Sequence, residues 1–182
     1  MAETSSRNLE LHLADVQAAP RDNGRLELIV RRPSVDAREI LPEARLDPAS
    51  GVVGDSWAAR GSRSTPDGSA DAQTQLTLMS VRVLQAIEPD PERWPLAGDQ
   101  LYVDLDLSVA VLPAGSRLAI GSAVIEVSQP PHTGCAKFSA RFGSDSLRWI
   151  NSDIGRANRM RGLNARVITA GTIRTGDAIR RA

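Results

Sequence analysis

Apolar residues in this chain recur at every second position in short runs, and each run is stopped within a few residues by glycine or proline. Residues 25–31 set Leu26, Leu28 and Val30 on one face before Arg32-Pro33. A second run, residues 37–46, precedes Asp47-Pro48. Residues 76–79 follow, and from 101 to 111 Leu101, Val103, Leu105, Leu107 and Val109 alternate. Residues 113–116 turn the chain into 117–120, Gly121-Ser122 into 123–128, and Pro130-Pro131 stops that run. Residues 165–170 and 172–173 alternate again, with Gly171 and Gly176-Asp177 as turns. Only two helices are expected: one capped by Ser80 with Val83, Leu84 and Ile87, one capped by Ser144 or Asp145 with Leu147, Ile150 and Ile154. Many short strands joined by tight turns predict a mostly all-β fold, a barrel of mainly antiparallel strands. Leu9, Leu11 and Leu13 followed by Asp22-Asn23-Gly24 predict that residues 1–24 are an N-terminal segment whose short strand joins the barrel of residues 25–182.

The 182 residues fit one domain, and with aromatics at 3% the core must be built from Leu, Val, Ile and Ala. So few rings supply little stacking for nucleic-acid bases, which argues against that class of partner. The longest apolar runs, such as 109–112, fall far short of the roughly 20 residues of a membrane span. A polar stretch at residues 1–7 lacks the form of an export signal. One cysteine excludes an intrachain disulfide and agrees with a reducing compartment, so a cytoplasmic location is expected. Residues 59–75 contain no Leu, Ile, Val or aromatic side chain and predict a long exposed loop or lid.

Charge is unevenly placed although the net charge is +0: residues 136–182 hold ten of the 22 Lys and Arg but three of the 22 Asp and Glu. Within them Arg141, Arg148, Arg156, Arg159 and Arg161 cluster, which points to an anionic ligand; Arg148, inside the expected helix, reads as a solvated face. Residues 130–138 (PPHTGCAKF) concentrate the rare chemistry: the only cysteine, the only lysine and one of two histidines after a rigid diproline. A thiolate is the reactive form of Cys135, and Lys137 and Arg141 can stabilise it. His132 with Cys135 could be half of a zinc site or a base and nucleophile. The first lacks further ligands other than His12 and carboxylates, and partners in the second usually come from distant sequence. Phosphate-loop, dinucleotide, serine-hydrolase and zincin motifs do not occur.

Taken in order, Gly51-x-x-Gly54-Asp55, Gln75-Leu76-Thr77-Leu78-Met79-Ser80, residues 112–121 (LPAGSRLAIG), residues 131–138 (PHTGCAKF), Arg161-Gly162 and Gly171-x-x-x-x-Gly176-Asp177 resemble the MOSC family. This is the C-terminal domain of molybdenum-cofactor sulfurases, with its stand-alone relatives. The resemblance implies a β-rich barrel around one motif cysteine, here Cys135, holding sulfur as a persulfide for delivery to molybdenum or ligating molybdenum itself. Cys135 is the position that matches the motif cysteine; beside it Lys137 and Arg141 are expected to stabilise the thiolate and His132 to orient the loop or donate to the sulfur, with Asp55, Arg141, Arg156, Arg159 and Arg161 expected around an anionic pterin such as molybdopterin. A histidine that many relatives carry after the Gly-Asp pair is replaced by Ser56-Trp57-Ala58. Pyridoxal phosphate is expected only on a partner, a cysteine desulfurase; a molybdoenzyme is the other expected partner. The alternatives are a molybdopterin-binding reductase module and a non-catalytic binding barrel.

Overall fold

In a computed structural model, which describes residues 6–182, the period-two runs pair into strands that close a seven-stranded barrel. The chain runs through α1 (Ser6–Leu11), α2 (Leu13–Gln17), β1 (Gly24–Arg31), β2 (Glu39–Leu41), β3 (Glu43–Asp47), β4 (Gly51–Val52) and α3 (Trp57–Arg60). It continues with β5 (Leu76–Ser80), α4 (Val81–Ile87), β6 (Leu101–Asp104), β7 (Arg117–Ile120) and β8 (Ala123–Pro131). It ends with α5 (Ala136–Phe142), α6 (Ser144–Asn151), α7 (Asp153–Ala157), β9 (Leu163–Thr169), β10 (Gly171–Arg174) and β11 (Ala178–Arg181). Around the barrel the order is β11-β7-β8-β9-β5-β6-β1, closed by β1 on β11, with β2 added to β1 and β10-β3-β4 forming a second sheet. Among the described residues every pairing is antiparallel except β5 with β6, which pairs Leu78 with Leu101 and Met79 with Tyr102.

Two cores follow from that exception. Leu26, Ile29, Leu76, Leu78, Leu101, Val103 and Ile125 fill the barrel. Met79 and Tyr102 point the other way, into a second core with Leu9, Leu84, Phe138, Phe142, Ile150 and Met160. Strands β5 and β6 are therefore buried on both faces, as a parallel pair requires. Each large side chain fully buried there contributes about 1.5–3 kcal/mol relative to exposure.

The structure corrects several expectations. Residues 6–17 are helical rather than a strand: Leu9, Leu13 and Val16 stand at helical spacing on the second core, while Leu11 is 78% exposed. The run from 101 to 111 leaves the sheet after Asp104, because Asp106 turns the chain by accepting from Ser108 N at 2.9 Å, and Val109 ends exposed. Residues 37–46 split at Pro42, which has no N–H for a ladder. Ser152 accepts from Gly155 N at 3.0 Å and starts a separate helix, so Ile154 lies 53% exposed instead of on the buried face of α6. Helix α5 carries the cysteine segment onto the second core through Phe138 and Phe142, four residues apart with ring centroids at 4.8 Å. No helix of the described residues is long and apolar enough to cross a membrane.

Candidate functional site

The site begins at a helix end. A 3-10 helix, Pro91–Ala97, stops at Gly98, whose φ of +91° favours glycine; Gly98 N donates to the Pro95 carbonyl, and the carbonyls of Leu96 and Ala97 have no backbone partner among the described residues. Four arginines from four parts of the chain dock on four consecutive carbonyls. Arg38 Nε donates to Pro95 O (3.2 Å), Arg141 Nη1 to Leu96 O (2.7 Å), Arg161 Nη2 to Ala97 O (2.9 Å) and Arg32 Nη1 to Gly98 O (2.9 Å). The negative end of the helix suits these cations.

Two buried aspartates balance part of the charge. Asp55, fully buried, accepts Arg32 Nε (3.1 Å), Arg32 Nη2 (2.8 Å), Arg32 N (2.8 Å) and Trp57 N (3.1 Å). Burial alone would raise its pKa, but those bonds and the Arg32 charge hold the carboxyl below its usual range. Asp55 therefore anchors Arg32. Asp99, also fully buried, accepts Arg161 Nη1 at 2.7 Å on one oxygen and faces His132 Nδ1 at 3.5 Å with the other. That second oxygen and His132 Nδ1 have no hydrogen-bond partner. Burial first, then the Arg161 charge, pushes the His132 pKa down to about 4 against the opposing pull of Asp99. His132 is a neutral imidazole at pH 7.

Positive charge remains in excess. The Arg38 guanidinium is pushed down by burial and then by Arg141 and Arg32; that of Arg60, at the end of α3, by burial and then by Arg32. Five guanidiniums (Arg32, Arg38, Arg60, Arg141, Arg161) face three carboxylates, of which Asp36 is mostly exposed and only 3.5 Å from Arg141. Like charges kept this close, partly desolvated, favour an anion among them.

Arg161 links this centre to Cys135. Its guanidinium lies 5.1 Å from the ring centroid of Phe138, in the helix that Cys135 caps. Cys135 is exposed at the start of α5, and its side chain makes no capping hydrogen bond; the nearby backbone N–H of Phe138, then that of Lys137 and the Arg161 and Lys137 charges, lower its pKa against the effect of burial. The loop before it is clamped by Asn151, which accepts from Gly134 N (3.0 Å) and donates to Gly134 O (3.2 Å). A side chain at Gly134 would meet Leu147 Cδ1 at 2.6 Å and Ile150 Cδ1 at 2.8 Å, so glycine lets the loop lie against α6.

The sequence-derived residues thus divide. Cys135, Lys137, His132, Arg141 and Arg161 gather around residues 95–99 and the start of α5, and Asp55 reaches the centre through Arg32. Arg156 and Arg159 line a neighbouring cavity that His132 and Arg161 also border. Arg32, Arg38, Arg60, Asp99 and Asn151 were not legible. No local pattern marks Asp99, and an abundance of arginine hides the four that converge. Residues 61–71 hydrogen-bond chiefly among themselves, through Ser62, Ser64, Thr65, Gly68, Ser69 and Asp71.

Solved structures share this fold. The YUAD protein from Bacillus subtilis is similar with a TM-score of 0.65 at 16% identity, over 86% of this chain and 94% of that one. YiiM from Escherichia coli gives 0.56 at 19% identity, over 87% and 69%, and YiiM from Geobacillus stearothermophilus 0.54 at 13%, over 90% and 74%. No curated protein matches the sequence. One family, described as the MOSC domain, matches residues 73–180.

Proposed function

The chain belongs to the MOSC domain family, and on that premise we propose that it is a sulfur carrier whose Cys135 holds a persulfide for an anionic, molybdenum-cofactor-type acceptor. The observation that supports this most is an exposed cysteine whose pKa is lowered at the start of α5 and by Arg161, one of a cluster of five guanidiniums. Cys135 thiolate attacks the outer sulfur of a donor persulfide; the donor S–S bond breaks, the donor leaves as a thiolate, and Cys135 becomes the persulfide. Transfer onward reverses the roles: a nucleophilic acceptor takes the outer sulfur and Cys135 leaves as a thiolate. Neither step needs an external oxidant or reductant, because a nucleophilic acceptor such as a thiolate takes the sulfur at the sulfane level. The low pKa serves both steps, as nucleophile in the first and leaving group in the second. A fitting donor is the persulfide of a pyridoxal-phosphate cysteine desulfurase.

The residues fit a molybdopterin as acceptor. Its phosphate suits the guanidiniums of Arg38, Arg60 and Arg141, and its dithiolene and metal suit a soft sulfur neighbour. His132, neutral and backed by Asp99, orients the loop rather than abstracting a proton. The same cationic excess favours a second reading, a resident molybdenum cofactor with Cys135 as ligand, supplying redox chemistry when bound. Intact mass after exposure to a persulfide donor tests the first reading. The wild type should gain one sulfur and Cys135→Ser none; equal gain in both overturns it. Stoichiometric molybdenum in the purified protein would select the second.

A further inference from the structure

A cavity of roughly 360 Å³ lies against the cysteine loop, and neither Asp99, Arg32, Arg38, Arg60 nor Arg141 lines it. It exists because β8 and β9 lose register: Val127 pairs with Ala165 and Pro131 with Leu163, so residues 128–130 face residue 164 alone. Asn164 Nδ2 donates to Pro130 O at 3.0 Å and holds the splayed strand. Ser128, in that splay, lines the cavity, is 5% exposed, and its hydroxyl is buried without a partner.

No Asp or Glu lines the cavity, yet Arg156, Arg159 and Arg161 do. Arg161 is committed to Asp99. Arg159, with a left-handed backbone at φ +44°, donates to the carbonyls of Leu107 (3.3 Å) and Leu112 (2.5 Å) and pairs with no carboxylate among the described residues; burial pushes its pKa down. Arg156 is exposed at the rim and has no ion pair among the described residues. Val109, Ile150 and Leu163 supply an apolar wall, and the lining residues His132 and Thr133 lie within three residues of Cys135 in the chain.

We infer that this cavity is a second ligand site, for a small organic anion: its carboxylate, sulfonate or phosphate meets Arg156, Arg159 and the Ser128 hydroxyl, and its short apolar body meets Val109, Ile150 and Leu163. Two unpaired cations and an orphaned hydroxyl together ask for an acceptor group, and the apolar wall asks for carbon beside it. That such an anion is a sulfur donor or acceptor for Cys135 rests on the carrier reading; that it binds does not.

Calorimetric titration with phenyl phosphate and benzoate, against benzyl alcohol as the neutral probe, tests the site. The wild type and Cys135→Ser should bind an anionic probe alike and benzyl alcohol at least tenfold more weakly. Arg156→Gln should weaken the anion about tenfold, the usual worth of one charged hydrogen bond, and Arg148→Gln should not. Arg156 has no side-chain partner among the described residues, so its variant should keep the fold; Arg159→Gln, checked for a native circular dichroism spectrum, should show the same loss. Binding unchanged by both substitutions, or no binding of either anion by the wild type, overturns the inference. Anion binding retained where Cys135 takes up no sulfur would remove the carrier reading alone.

Discussion

Acidification should destabilise the fold through His132 before most carboxylates begin to titrate. Its folded pKa is about 4, held down by burial and then by Arg161, whereas an unfolded histidine titrates near 6.5. Between those values the unfolded chain binds a proton that the folded chain refuses. Stability from this group is therefore complete above the unfolded value, falls as pH drops through it, and is fully lost below the folded one. At pH 5 the loss is at most about 2 kcal/mol, since the unfolded site lies about 1.5 pH units below its midpoint. The side chain keeps 18% of its exposure, which makes that an upper figure. Urea unfolding at pH 8, 6 and 5 in the wild type and His132→Gln measures it, because His12 is common to both. The wild type should lose more stability on acidification than the variant, by up to that amount. Parallel losses in both proteins would refute a buried neutral His132.

Gly134→Ala places a methyl group 2.6 Å from Leu147 Cδ1, so a cost of about 1–2 kcal/mol in urea and slower uptake of sulfur by mass are expected. Arg161→Met leaves Asp99 buried and unpaired and should cost about 3–5 kcal/mol, while Arg161→Met with Asp99→Leu should recover much of it, read as melting temperature. Replacing residues 62–70 by a short Gly-Ser link should change stability by about 1 kcal/mol or less, because that loop bonds chiefly to itself, and should weaken phosphate binding if it covers the Arg60 side of the site.

The barrel was readable where its interior residues obey the period of two, as Leu76 with Leu78 and Leu101 with Val103 do; in β1 a register shift between Leu26 and Leu28 turns Ile29 inward and sends Leu28 and Val30 to the second core, against the single face expected for Leu26, Leu28 and Val30. Ambiguity arose where two periods fit the same letters. Leu9, Leu11 and Leu13 alternate, yet Leu9, Leu13 and Val16 also make a helical stripe, and the second core chose the stripe. Cys135 stood out in the sequence by its rarity and its loop; the start of α5, which lowers its pKa, was signalled only by Phe138 and Phe142. The carbonyl row at 95–98 was beyond a local reading, since Arg32, Arg38, Arg141 and Arg161 reach it from 45 to 66 residues away. Asp55 shows the same limit: its role depends on Arg32, 23 residues earlier.

The central claim, a thiolate poised at Cys135, is tested most directly by the pH dependence of its alkylation by iodoacetamide, followed by intact mass on the folded protein. The rate should rise through an inflection below the ordinary thiol value of about 8.5, because the N–H groups of Phe138 and Lys137 and the Arg161 charge stabilise the anion. An inflection at or above that value, or a thiol inert in the native protein, would contradict the account.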